Sequence, residues 1–146
     1  MNTTWMCAVG LAGLTITWGC RESLAAGPAA CPGDSVRVAV KSGGQGPQFS
    51  WTPTCLMGMV QVNETDTVQY YSGGSYGGII WRSNSTDTNT VLPPVTYGQR
   101  SAGTWQEVAP QALVPGTVYT VSVWRIHTES GRPYWLNVAG QVSFTP

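Results

Sequence analysis

The chain has 146 residues, enough for one ordinary domain and too few for two. Seven basic residues balance seven acidic ones and together they make up only 10% of the chain. The cations (Arg21, Arg37, Lys41, Arg82, Arg100, Arg125, Arg132) stand singly, so nothing clusters to neutralise successive phosphates and a nucleic-acid partner is excluded from the reading.

The chain opens on an apolar, uncharged run from Cys7 to Trp18. Its length suits the hydrophobic region of a signal peptide and falls short of a membrane span. Gly19-Cys20 follows at once. A small residue before Cys at the end of such a run resembles the lipobox of bacterial lipoproteins. There the thiol takes a diacylglyceryl group and cleavage makes that Cys the new N-terminus. The resemblance implies a lipoprotein-type signal peptide over 1–19, lipidation of Cys20 and a membrane partner through the lipid anchor. Arg21, in place of Asp, implies sorting to the outer membrane where the cell has one. Thr17 and Trp18 depart from the residues the family prefers, and no Lys or Arg precedes the run. Cleavage after Ala25 or Ala26 by ordinary signal peptidase, giving a secreted protein, is the competing expectation.

Residues 20–34, rich in Gly, Pro and Ala, read as a tether. Of the four cysteines, Cys7 leaves with the signal and Cys20 is lipidated or removed, so Cys31 and Cys55 remain. Two cysteines in an exported domain are expected to form a disulfide. Neither belongs to a C-x-x-C and the single His, His127, is distant in sequence, so no metal site and no cofactor are expected.

From residue 35 strand patterns follow one another. Ser35 to Val40 alternates strictly and places Val36, Val38 and Val40 on one face. A Gly-rich turn, Lys41 to Pro47, leads to Phe49-Ser50-Trp51-Thr52-Pro53. Further strands are expected over Gly58–Val62, Val68–Tyr71 and Gly78–Arg82, the last two flanking a Gly-rich hairpin loop from Ser72 to Gly77. Ser83 to Asn89 reads as a polar turn. Pro93-Pro94 cannot donate to a ladder and marks an edge or a crossover. Trp105 to Val108 leads to Leu113-Val114-Pro115-Gly116-Thr117-Val118-Tyr119-Thr120-Val121-Ser122-Val123, a tight turn feeding an alternating strand, and Ala139 to Thr145 closes the chain.

The L-x-P-G-T-x-Y-x-V-x-V run resembles the E–F corner of fibronectin type III domains. The Trp51 segment is similar to strand B of that family and residues 139–145 to its strand G. The resemblance covers about residues 35–146. It implies an all-β protein, a single antiparallel sandwich of the fibronectin type III or immunoglobulin-like kind, with Trp51, Tyr119, Val121 and Val123 in its core. Cys31–Cys55 is not a hallmark of the family, and no Arg-Gly-Asp is present, so integrin adhesion does not carry over.

Catalytic constellations are absent by inventory. His127 falls just after the expected strand F, where a solvated loop residue is expected, and no G-x-S-x-G occurs. Glu64, Asp66 and Glu107 fall in separate polar turns. The aromatic balance is more informative, with seven Trp and six Tyr against two Phe. If Tyr119, Val121 and Val123 face the core, alternation sends Trp124 and Ile126 outward. With Trp81 in the same sheet, and Tyr134 and Trp135 in or beside the F–G loop, they form a candidate binding face for a sugar or a protein. A bulge that reverses the parity would make these rings mere cover. The expectation is a non-enzymatic binding or structural module on the bacterial cell envelope, its partner an envelope protein or, alternatively, a glycan.

Overall fold

The computed structural model describes residues 31–64, 78–86, 88–129 and 132–146. The signal segment 1–19, Cys20, Asp66 and the expected Val68–Tyr71 strand with its loop lie outside these residues.

The described residues form eight strands and no helix: β1 Arg37–Lys41, β2 Gln48–Thr52, β3 Met59–Glu64, β4 Ile79–Ser85, β5 Val95–Thr96, β6 Thr104–Val108, β7 Tyr119–Glu129 and β8 Arg132–Phe144. They make two antiparallel sheets packed as a sandwich, ordered β1-β2-β5 and β6-β4-β3-β7-β8. The small sheet has one dry and one wet face. Along β2, Phe49 and Trp51 are buried while Ser50 and Thr52 are exposed, as period-2 geometry requires of a half-buried strand. β3, in the middle of the larger sheet, is different, with Met59 to Val62 buried on both faces.

Tyr119, Val121 and Val123 on β7 join Trp51, Phe49, Val60, Val62 and Trp81 in one core. The turn before β7 explains how Tyr119 is placed. Thr117 N–H donates to Val114 O at 3.2 Å, and Gly116 takes φ +82° at the third position, which a side chain would resist. Val114 N–H then donates to the Tyr119 hydroxyl at 3.0 Å, so the buried ring carries its polar tip back onto the turn that delivered it.

The disulfide joins Cys31 to Cys55 across a sequence separation of 24. Cys31, placed in the tether by composition, is buried and covalently part of the sandwich, which therefore includes residues before 35. The indole of Trp51 donates to Cys55 O at 2.8 Å, tying the core to the bridged turn. On the other side, Val36 N–H donates to Ala139 O at 2.8 Å and closes the small sheet onto β8.

The segment from Ser83 to Ser85, expected to be a turn, completes β4. Its serines are buried but satisfied: Ser83 shares a hydrogen bond with Thr104 at 3.2 Å and Ser85 donates to Gly58 O at 2.9 Å. Small hydroxyls that bond inside a sheet look, in sequence, like turn formers.

A methyl group at Gly140 would fall within the contact shell of Val36 O and of the Val36 and Val38 side chains. Gly140→Ala is expected to lower stability by about 1–3 kcal/mol through this overpacking. Tyr119→Phe should cost about 1–2 kcal/mol by leaving the Val114 amide without its acceptor. Denaturant midpoints of the purified variants measure both.

Candidate functional site

Residues directly opposite one another in a ladder share a face of the sheet, so register locates the candidate aromatic face. Trp105 on β6 lies opposite Asn84 on β4, Asn84 opposite Met59 on β3, Met59 opposite Trp124 on β7, and Trp124 opposite Val138 on β8. This row crosses the outer face of the larger sheet. Beyond it toward the β7–β8 turn, Ile126 lies opposite Leu136.

Trp81 does not belong to this surface. It lies opposite Val62 on the inner face and is 0% exposed. Its ring packs 6.3 Å from Phe49 and 5.3 Å from Tyr97, centroid to centroid. The sequence put it in the same sheet as Trp124 but on the wrong side, because alternation within one strand does not say which residues of the neighbouring strand share its face. Trp124 does point outward and is half-buried between Met59 and Val138. Ile126 also lies on the outer side but is buried rather than exposed. Gly58 has no side chain, and Ile126 occupies the space a Cβ there would need. The pairing of β7 with β8 also shifts between Val123 and Trp124. Tyr134 and Trp135 are in β8, beside its connection to β7, with Trp135 opposite His127 along the backbone.

His127 lies within β7 and not in a solvated loop. Glu107 is in β6, where its carboxylate meets Arg82 Nη1 at 3.1 Å and accepts from the Asn84 amide at 2.6 Å. Glu64 ends β3. Among the described residues no three His, Cys, Asp or Glu side chains come together as ligands.

The structure shows a cluster that the sequence did not reveal. Arg82, 1% exposed on the outer face, donates from Nε and Nη2 to Gln61 Oε1 at 2.9 and 2.6 Å and pairs with Glu107. Gln61 in turn donates to Asn63 Oδ1 at 2.7 Å. The network runs across β6, β4 and β3 and couples residues up to 25 apart in sequence. A buried guanidinium needs such partners, because an unpaired charge out of water is costly. Arg82 and Asn84 turn their donors onto the neighbouring strands β3 and β6, so this is a lateral brace.

A depression of about 240 Å³ lies over the loop from Lys41 to Gly46. It is lined by glycines, Ser42 and two glutamines and offers one cation, Lys41, without a nucleophile–base pair. Burial pushes the Tyr97 hydroxyl up to about 12, and the group donates to Gln111 O at 2.7 Å. The neutral phenol is therefore the native form. Above its ordinary value of 10.0 the unfolded chain ionises before the folded one, so stability falls as pH rises toward 12.

No protein-family model matches the chain, and neither the curated proteins nor the solved structures contain a significant match to it.

Trp81→Ser is expected to cost about 3–5 kcal/mol, as a core cavity does. Trp124→Ser should cost distinctly less, because its ring is only half-buried. Arg82→Ala is expected to lose about 3 kcal/mol, since it removes the buried guanidinium that joins Glu107 to Gln61. Thermal unfolding of the three variants ranks them.

Proposed function

We propose that this chain is an exported, lipid-anchored sandwich of the fibronectin type III kind. In this reading it serves as a non-enzymatic binding or structural module on the bacterial cell envelope. The observation that carries the reading is the buried Cys31–Cys55 disulfide, which belongs in an oxidising compartment outside the cytoplasm. The apolar run from Cys7 to Trp18 ending in Gly19-Cys20 supplies a route to that compartment and a thiol to anchor there.

The family assignment draws support from Tyr119. Its hydroxyl bonds the backbone five residues upstream, at the mouth of β7, as the buried Tyr of an E–F corner does. β2 with Trp51 and β8 at the chain end suit strands B and G in the same reading. β6, paired to β4 at the margin of the larger sheet, is an addition to it.

Carbohydrate binding through stacked rings is the weaker alternative. It relied on Trp81 and Ile126, which are buried, and keeps Trp124 only in part. The exposed indole of Trp105 lies at the far margin of the sheet, four strands from β8. A glycan array with the purified protein discriminates the two, with no sugar retained as the expected result.

The anchor is tested by expressing the full chain in a bacterial host and separating membranes on a flotation gradient. The protein is expected to float with lipid and to yield a mature N-terminal peptide starting at a diacylglyceryl-modified Cys20. Cys20→Ala should leave the precursor uncleaved. A soluble form starting after Ala25 or Ala26 would replace the anchor with secretion.

A further inference from the structure

The two ends of the sandwich differ, and the difference bears on how the anchored domain sits. Cys31 enters at the end marked by Cys55, and its following residues are strapped there. Arg125 donates from Nη1 to Gly33 O at 2.6 Å and pairs with Asp34 at 3.5 Å. β3 starts at this end and β7 arrives at it, since Met59 lies opposite Trp124. The turn from Val114 to Val118, which precedes β7, is at the opposite end.

The entry end also carries exposed apolar side chains. Leu136 is 48% exposed and Val138 is 41% exposed, on adjacent outward positions of β8. Exposed Leu92 follows Val91, whose backbone pairs with Met57 at the same end. Nothing in the core requires these side chains to be apolar. The ribbon that bears two of them is held by a side chain from outside it. Asn89 donates from Nδ2 to Ile126 O at 2.9 Å and accepts from Ile126 N–H at 2.8 Å, taking the place of a neighbouring strand where β3 has not yet begun.

Resting on the lipid-anchor reading above, we infer that this end is a membrane-docking surface. Leu136, Val138 and Leu92 meet the headgroup–acyl boundary of the bilayer that holds Cys20. The occupant follows from the length of the chain before the disulfide. Residues 21–30 separate Cys20 from Cys31, and even fully extended that link spans at most about 40 Å. β7 alone, with 11 residues, is roughly 37 Å long at the usual rise. Docking by the far end would thus need the tether stretched straight along the whole body, whereas the entry end reaches the bilayer with slack. Aliphatic side chains at that boundary leave water favourably. The Arg125–Asp34 pair leaves the strap itself with no net charge to repel headgroups.

The test uses the full chain in bacterial membranes, with the photoreactive residue benzoylphenylalanine replacing Leu136, Val138 or, as the distal control, Val118, which is also exposed. Non-reducing electrophoresis first verifies an intact Cys31–Cys55 bond, and two independent sites guard against a substitution that misfolds. After illumination, mass spectrometry reads phospholipid adducts at the labelled site and the modification of the N-terminal peptide. Lipid adducts at 136 and 138 and their loss at 118 are expected. With Cys20 lipidated, an absence of lipid adducts at 136 and 138, equal labelling at 118, or adducts to protein or peptidoglycan instead would overturn the docking surface and leave the anchor standing. An unmodified N-terminus with no lipid adducts sinks both. Lipid adducts with an unmodified N-terminus sink the anchor alone.

Discussion

Five rings in sequence hold the two sheets together. Tyr97 packs on Trp81, Trp81 on Phe49, Phe49 on Phe144 and Phe144 on Tyr119, with centroid separations between 5.3 and 6.3 Å. Phe49 comes from the small sheet, Trp81, Tyr119 and Phe144 from the larger one, and Tyr97 follows β5. The planes are tilted, the arrangement that ring quadrupoles favour. Each ring is large, so shifting one strand by a residue would expel a ring and open a cavity. The chain of contacts therefore sets the relative placement of the sheets, and with it which indoles are free to meet a ligand. Trp81 is consumed by this role.

The outer face of the larger sheet is organised differently. Across one row the side chains are polar and brace each other laterally, with Arg82 held between Gln61 and Glu107. Across the adjacent row Met59, Trp124 and Val138 lie side by side, with Asn84 between Met59 and Trp105. This second row lies nearer the end where the disulfide pins the chain, and the ribbon of β7 and β8 continues past it beyond Met59, the first residue of β3. Asn89 and Gly58 make that extension possible. One supplies the hydrogen bonds of a missing strand and the other clears room for Ile126. The result is a body with a bridged end that carries exposed apolar side chains and a turn-bearing end opposite, a polarity that suits a protein tethered from one side.

Much of the architecture was legible in the chain because the relevant signals are local. Alternation marked β1 and the start of β7, the likeness of the Trp51 segment to strand B marked β2, and Pro115-Gly116 marked the turn before β7. Cysteine counting found the bridge, and the position of Pro93-Pro94 agrees with the chain leaving one sheet for the other between β4 and β5. The reading failed where polarity and structure part company. Ser83 and Ser85 are hydroxyls inside a strand, and His127 extends β7 instead of following it. The boundary at residue 35 missed Cys31 because Gly and Pro dominate the residues around the bridged cysteine.

By itself the sequence determined the class, an all-β chain with a tight corner at Tyr119 and a single bridged pair, because strand period, turn chemistry and cysteine number are properties of neighbouring residues. Tertiary structure alone decided which face each indole occupies and which distant polar groups meet. Trp81 and Trp124 are both large aromatics in predicted strands, yet one is core and the other is half-wet. What separates them is the register itself, which sets Trp81 opposite Val62 on the inner face and Trp124 opposite Met59 on the outer one. Likewise Arg82, Gln61 and Glu107 carry no common motif and become a unit only when β6, β4 and β3 lie side by side. Register is a relation between strands, so no window of one strand contains it.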